Sequence, residues 1–158
     1  KVDSKLGKGS TFQVLFPIVE EDSFERIERS KSLETGTERL LLVDDEEALV
    51  VLNQRLLEDL GYEVISETSS VAALKTFESD PNKFDLIITD QSMPEMSGAE
   101  LAKNILKSKP DMPIILCTGF SNKISAESAK ELGIKEFFIK PIDRKHLAYT
   151  VRKVLDGK

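Results

Sequence analysis

From residue 39 onward, blocks of apolar and polar residues alternate in a way that predicts strands and helices in turn. The apolar run Leu40-Leu41-Leu42-Val43 predicts a first buried strand. Apolar residues at helical spacing follow it, and Gly61 marks the C-terminal stop of that helix. The predicted apolar face of this helix comprises Ala48, Leu49, Leu52, Leu56 and Leu60.

The same strand–helix unit recurs to the end of the chain. Further strands are predicted at 62–68, 86–88, 114–117 and 137–139. Three more helices carry the apolar faces Val71, Leu74 and Phe77, then Leu101, Ile105 and Leu106, then Leu147, Val151 and Val154. Their predicted caps are Ser69 or Ser70, the Ser97/Glu100 capping box, and Asp143. A weaker helix is predicted at 121–132, closed by Gly133. Because most strands are apolar throughout, we expect an α/β fold with a parallel sheet covered by helices on both faces.

The first 38 residues have a different character. Residues 10–17 predict one strand, which needs a partner to bury a face. Residues 19–38 are rich in charge and poor in apolar side chains, which is typical of a linker. The chain begins with Lys1 rather than methionine, so we expect a fragment of a longer protein.

Composition narrows the class of protein. The 158 residues are 40% hydrophobic and 32% charged, as expected for one soluble globular domain. The net charge of -6 argues against a broad nucleic-acid-binding face. No apolar run approaches the roughly 20 residues of a membrane span, so no membrane contact is expected. The single cysteine, Cys117, lies in an apolar run and is expected to be a small core residue, which agrees with a cytoplasmic setting.

Polar residues stand where the predicted strands end. Asp44 and Asp45 follow the first strand, Asp90 the third, Thr118 the fourth and Lys140 the fifth. In an open parallel sheet these carboxyl ends share one edge, where ligands bind. Three carboxylates, one hydroxyl and one ammonium are therefore predicted to converge.

This set of side chains favours phosphoryl chemistry. Clustered carboxylates repel one another, and Mg²⁺, which uses one or two carboxylates with waters and a phosphate oxygen, relieves that repulsion. One carboxylate can then attack phosphorus to give an aspartyl phosphate. Lys140 can neutralise the incoming group, Thr118 can donate a hydrogen bond to it, and Gly119 leaves space beside it.

Residues 39 to about 156 resemble a response-regulator receiver domain. The resemblance rests on the pair Asp44-Asp45, the run D-x-x-M-P-x-M-S-G from Asp90 to Gly98, Thr118-Gly119, Lys140-Pro141, and Phe137 three residues before the lysine. It implies a flavodoxin-like (βα)5 fold of two-component signal transduction, with a doubly wound parallel five-stranded sheet in the order 2-1-3-4-5. It also implies that this receiver domain occupies residues 39–158.

The resemblance also implies the roles of the site residues. Asp90 would be the phosphoacceptor, and Mg²⁺ would be bound by Asp45, Asp90 and the backbone carbonyl of Ser92, with Asp44 acting largely through water. Thr118 and Phe137 would form a conformational switch, with phenylalanine in place of the commoner tyrosine. A cis peptide bond before Pro141 is often found in this family.

A second resemblance concerns the amino end. Val2 to Pro17 is similar to the closing segment of a histidine-kinase ATP-binding domain, of which residues 1–18 would be a remnant. The asparagine-bearing and D-x-G-x-G elements of that domain are absent from the sequence, so ATP binding by this route is not expected. The order of parts implies a hybrid histidine kinase, with a kinase core or a histidine phosphotransfer protein as partner of the receiver.

Two alternatives remain open. An aspartate-nucleophile phosphatase of the haloacid-dehalogenase type would also use a threonine and a lysine. It requires a second aspartate two residues after the nucleophile, where this chain has Ser92. A receiver that acts only as a docking module is the other alternative, although the acceptor-site residues are all present.

Overall fold

The computed structural model describes residues 1–15, 34–119 and 132–157. The chain divides into two compact units, Lys1–Ser32 and Leu33–Lys158. The predicted helix at 121–132, apart from its last residue, lies outside the described residues. So do most of the predicted linker at 19–38 and the end of the predicted strand at 10–17.

The described part of the first unit is a β-hairpin rather than one strand. β1 (Val2–Lys5) pairs antiparallel with β2 (Gly9–Phe12), and Val2 lies opposite Phe12. The predicted strand at 10–17 agrees with β2 at residues 10–12 and was wrong at residues 13–15, which are not in a strand. The pairing strand β1 was not predicted. β1 was missed because only one of its four residues is apolar. In the turn, Gly7 has a φ of 74°, a left-handed conformation that glycine adopts without a steric penalty.

The second unit is built on a five-stranded parallel sheet. Its strands are β3 (Arg39–Val43), β4 (Glu63–Glu67), β5 (Leu86–Asp90), β6 (Ile114–Thr118) and β7 (Glu136–Ile139). The spatial order is β4-β3-β5-β6-β7, which confirms the predicted 2-1-3-4-5 flavodoxin-like arrangement. The described helices are α1 (Glu47–Glu58), α2 (Ser70–Ser79), α3 (Gly98–Ser108) and α4 (Arg144–Leu155). None of the helices in the described ranges is long and apolar enough to cross a membrane.

Buried side chains form a core on each face of this sheet. One core joins alternate residues of the strands to Phe77 of α2 and Leu101 of α3. The other joins the remaining strand residues to Leu57 of α1 and Leu147 of α4. β5 and β6 are buried at every position, which confirms the expectation from their continuous apolar runs.

The buried face of α1 differs from the predicted one. Val50 and Leu57 are buried, whereas Leu52 is 53% exposed and Ala48 is also exposed. Apolar residues occupy every position from 48 to 52, so the sequence permits two helical faces, and packing against the sheet selects one of them.

Residues 36–38, which we call the entry segment, are part of the second unit, although the sequence placed them in the linker. The N–H of Gly36 donates to the carbonyl oxygen of Leu60 at 3.1 Å. The carboxylate of Glu38 pairs with the guanidinium of Arg152 in α4 at 2.7 Å. The start of the sheet and the last turns of α4 are thereby joined.

Candidate functional site

The predicted site residues lie together at the carboxyl edge of the sheet. Asp44 directly follows β3, and its N–H donates to the carbonyl of Glu67 at 3.3 Å. Asp90 and Thr118 are the last residues of the neighbouring strands β5 and β6. Lys140 directly follows β7, and its N–H donates to the carbonyl of Thr118 at 2.8 Å. The strand ends therefore converge as the sequence predicts for a parallel sheet.

Lys140 bridges two of the carboxylates. Its Nζ lies 2.7 Å from Oδ2 of Asp44 and 2.5 Å from Oδ1 of Asp90. The side chains of these aspartates are only 5% and 8% exposed, so the ion pairs are shielded from water. Partial burial disfavours the ammonium, but hydrogen bonds to Asp44 and Asp90 outweigh it and raise the pKa of Lys140 above its ordinary value.

Asp44 and Asp45 have different environments. Asp44 is 3% exposed, and its Oδ1 accepts the N–H of Glu46 at 3.0 Å in addition to the contact with Lys140. Asp45 is exposed. Asp44 is therefore held in place by protein donors, while the carboxylate of Asp45 faces solvent, where an ion with bound waters could approach it.

The segment after Asp90, residues 91–97, is folded back tightly, and we call it the Asp90 loop. The N–H of Ser92 donates to Oδ2 of Asp90 at 2.7 Å. At the far end of the loop, a Cβ atom at Gly98 would overlap the carbonyl oxygen of Asp90. Ser97 and Glu100 form the predicted capping box at the start of α3. The loop therefore begins and ends against Asp90, at its carboxylate on one side and at its backbone oxygen on the other.

Gln91 was not singled out from the sequence, yet it makes three hydrogen bonds in this loop. Its N–H donates to the carbonyl of Cys117 at 2.8 Å, and its carbonyl accepts the N–H of Gly98 at 3.1 Å. Its side-chain Oε1 accepts the N–H of Ala99 at 3.2 Å. A polar residue directly after a buried strand was the only signal in the sequence, and it does not specify these partners.

Thr118 and Phe137, the predicted switch pair, lie on the adjacent strands β6 and β7. The hydroxyl of Thr118 donates to the carbonyl of Phe138 at 3.4 Å, and the residue is 8% exposed. The ring of Phe137 is partly buried against the core that contains Leu101. The peptide bond between Lys140 and Pro141 is cis, as the family resemblance implies.

Cys117 lies beside these residues without the character of a reactive thiol. It is 5% exposed, and burial raises the pKa of its thiol to about 12. The prediction that Cys117 is a core residue is confirmed.

The oxygen atoms at this edge suit Mg²⁺. Within the described ranges, no three His, Cys, Asp or Glu side chains form a cluster that could hold a metal. Mg²⁺ does not require such a cluster, because it commonly binds through one or two carboxylates and keeps several waters. The carboxylates of Asp45 and Asp90 and the carbonyl of Ser92 are hard oxygen donors of this kind, so the donor set is compatible with Mg²⁺.

Comparison with known proteins gives one consistent result. Residues 40–152 match the response regulator receiver domain family. The sensor kinase CckA of Brucella abortus is 32% identical over an alignment covering 98% of this chain. The regulatory protein PhoP of Bacillus subtilis, named for alkaline phosphatase synthesis, is 33% identical over 74% of the chain. The chain spans only 17% of CckA and 48% of PhoP.

Solved structures agree with these relatives. A response regulator receiver domain protein from Clostridium thermocellum has a TM-score of 0.73 at 31% identity, covering 76% of this chain and 95% of that one. The response regulator TrrA of Thermotoga maritima, solved in complex with Mg²⁺ and BeF, has a TM-score of 0.67 at 36% identity. That match covers 75% of this chain and 99% of TrrA.

Proposed function

Because this chain belongs to the response regulator receiver domain family, we propose that Asp90 accepts a phosphoryl group from a phosphohistidine in a Mg²⁺-dependent reaction. The observation that carries the proposal is the pairing of Lys140 with both Asp44 and Asp90 at the carboxyl edge of the sheet. One cation beside two nearly buried carboxylates is an arrangement suited to receiving an anionic group on one of them.

The acceptor carboxylate is already oriented. Oδ1 of Asp90 contacts Lys140, and Oδ2 accepts the N–H of Ser92. In the proposed step one of these oxygens attacks phosphorus, a P–O bond forms, and the P–N bond to the histidine ring breaks with its electron pair returning to the ring nitrogen. The carboxylate oxygen that attacks must exchange its protein contact for the bond to phosphorus.

Other residues would stabilise the transferred group. Lys140 would remain close enough to neutralise a phosphoryl oxygen, and Thr118 would turn its hydroxyl from the Phe138 carbonyl toward it. Asp45, Asp90 and the Ser92 carbonyl would hold Mg²⁺, with Asp44 acting through water. When bound, the ion would offset negative charge on the phosphoryl oxygens.

We further propose that this receiver works within a hybrid sensor histidine kinase. Support comes from the similarity to CckA, which extends through the amino-terminal hairpin, and from the similarity to the sensor histidine kinase GacS of Pseudomonas protegens. Residues 1–18 would then be the end of an ATP-binding domain, and a kinase core or a histidine phosphotransfer protein would be the phosphodonor or acceptor. A cytoplasmic location suits the free, buried thiol of Cys117.

The phosphatase alternative has less support. Ser92, at the position where a haloacid-dehalogenase enzyme needs an acid/base aspartate, has no carboxylate, and no comparison favours that class. A docking-only receiver would not require the convergence of Asp44, Asp90 and Lys140 that the structure contains.

Intact-mass analysis after incubation with acetyl phosphate tests the proposal. The wild-type chain should gain one phosphoryl group with Mg²⁺ and none with a chelator, and Asp90→Asn should gain none. Asp85→Asn is a matched control outside the site and should be labelled like the wild type. Undiminished labelling of Asp90→Asn would show that Asp90 is not the acceptor.

A further inference from the structure

We infer that Gln91 is a positioning residue that holds the Asp90 loop in the shape needed for Mg²⁺ binding, an inference that rests on the proposed function of Asp90. Gln91 directly follows Asp90, and its three hydrogen bonds join it to two other elements of the fold. They reach Cys117 on β6 and the first two residues of α3, Gly98 and Ala99.

Gln91 completes the capping of α3 from outside the helix. The first N–H groups of a helix have no partner within it and must be satisfied elsewhere. Here the N–H of Gly98 donates to the backbone carbonyl of Gln91, and the N–H of Ala99 donates to its side chain. The next N–H, from Glu100, donates to the hydroxyl of Ser97. Without the Gln91 amide, the capping box would leave the Ala99 N–H without this protein acceptor.

This capping has a consequence for the acceptor site. Gln91 is the first residue of the Asp90 loop, and it accepts hydrogen bonds from Gly98 and Ala99, which directly follow the loop. The two ends of the loop are therefore joined. Ser92 lies immediately inside that closure, with its N–H on Oδ2 of Asp90. The carbonyl of Ser92 is the proposed backbone ligand of Mg²⁺. A looser closure would therefore displace a metal ligand and a partner of the acceptor carboxylate without removing either chemically.

The chemistry of the side chain explains why glutamine suits the position. It presents a neutral oxygen acceptor to the N-terminus of α3, and it is long enough to reach from the end of β5 to the N–H of Ala99. Methionine has a similar length but no comparable acceptor. Gln91→Met therefore removes the side-chain bond from Ala99, keeps the two backbone bonds and keeps the side-chain volume. Gln91→Glu keeps an oxygen acceptor, and a carboxylate at a helix N-terminus is favourable.

The test compares Gln91→Met and Gln91→Glu with the wild type and with the control Gln54→Met. Gln54 is a hydrogen-bonded glutamine of α1 whose partners, Ser66 and Glu58, are not among the site residues. Three quantities are measured: Mg²⁺ affinity by calorimetry, the rate of labelling by acetyl phosphate as a function of Mg²⁺ concentration, and hydrogen exchange of the Ala99 amide.

We expect Gln91→Met to weaken Mg²⁺ binding about tenfold, the lower end of typical effects for residues that orient metal ligands. Its labelling rate should return to within about twofold of wild type at saturating Mg²⁺, because the acceptor itself is intact. Exchange of the Ala99 amide should be faster. Gln91→Glu should keep the slow exchange and bind Mg²⁺ at least as tightly as the wild type, and Gln54→Met should behave like the wild type.

Wild-type Mg²⁺ affinity in Gln91→Met would overturn the role of Gln91, and so would an equal loss of affinity in Gln91→Glu. Failure of the wild-type chain itself to bind Mg²⁺ or to be labelled would instead overturn the proposed function and the inference with it. Gln91→Glu keeps the test decisive if Gln91→Met folds poorly.

Discussion

Nζ of Lys140 lies 2.5 Å from Oδ1 of Asp90, and the same ammonium lies 2.7 Å from Asp44. The carboxylates come from strands on different parts of the chain, and one ammonium pairs with both where little water reaches them, so only one of the two negative charges is balanced. The electrostatics of the acceptor site and the stability of the carboxyl edge of the sheet therefore depend on the same side chain.

Lys140→Met should destabilise the fold by about 3 kcal/mol at pH 7, because it leaves two nearly buried carboxylates without their cation. Since the pKa of Lys140 is raised in the folded state, its contribution to stability is present below the ordinary lysine pKa of ~10.4 and is lost as the pH rises through the raised pKa. Urea unfolding measures the loss. Mg²⁺ should raise the stability of the variant more than that of the wild type. The exposed control Lys103→Met should change stability by less than about 0.5 kcal/mol, and an equal loss in both variants would contradict the prediction.

Gly98→Ala should be destabilising because a Cβ atom would overlap the backbone oxygen of Asp90, which cannot move without shifting β5. We expect a loss of about 1–3 kcal/mol in the free energy of unfolding, with weaker phosphorylation of Asp90. At Gly119 a Cβ atom would meet nothing within 4 Å, so Gly119→Ala is the matched control for stability. Thermal unfolding of Gly98→Ala and Gly119→Ala tests this prediction. Similar melting temperatures of the two variants would show that Gly98 tolerates a side chain.

The contact between Glu38 and Arg152 should make stability depend on pH in the acidic range. The hydrogen bond from Arg152 lowers the pKa of Glu38, although burial opposes the shift. The stabilisation is therefore present above the ordinary glutamate value of ~4.3 and is lost as the pH falls through the lowered one. Glu38→Gln should cost about 1 kcal/mol at pH 7, and the cost should shrink as the pH falls below ~4.3, as measured by urea unfolding. Glu78→Gln, on the exposed side of α2, should show no such difference, and a pH-independent effect of Glu38→Gln would refute the assignment.

Phosphorylation should change the environment of Phe137 through Thr118. If Thr118 turns from the Phe138 carbonyl toward the phosphoryl group, room opens beside β7 and the half-buried ring of Phe137 can move inward. Chemical-shift mapping with Mg²⁺ and beryllofluoride should then reveal changes at 118–119 and 137–140, and Asp90→Asn should show none. Changes limited to the loops around Asp45 and Asp90 would exclude the switch.

The position of the proposed acceptor site was predictable from sequence because it depends on few geometric facts. Continuous apolar strands indicate a parallel sheet, and a parallel sheet brings the residues after its strands to one edge. The convergence of four side chains could therefore be predicted from their positions directly at or after the strand ends. These are Asp44, Asp90, Thr118 and Lys140. The pairing of Lys140 with both Asp44 and Asp90 did not follow from that order.

Other features depended on packing that the sequence does not encode locally. Two residues of the predicted α1 face, Ala48 and Leu52, were assigned wrongly because apolar residues fill every position from 48 to 52 and only contact with the sheet distinguishes them. Leu56 and Leu60 of the same predicted face do pack in the core. The bond between Glu38 and Arg152 joins residues 114 positions apart, and neither residue follows the carboxyl end of a strand, where the predicted site residues lie.

The entry segment brings the beginning of the second unit close to the end of its last helix. Gly36 is held against Leu60, and Glu38 against Arg152 near the end of α4, so the way into the domain and the end of its last helix are neighbours. Both lie at the amino edge of the sheet, and Asp90 lies at the carboxyl edge. A short tether could therefore join the two places. We therefore expect that grafting this domain into another protein, or permuting its order circularly, preserves the contacts of Lys140 with Asp44 and Asp90.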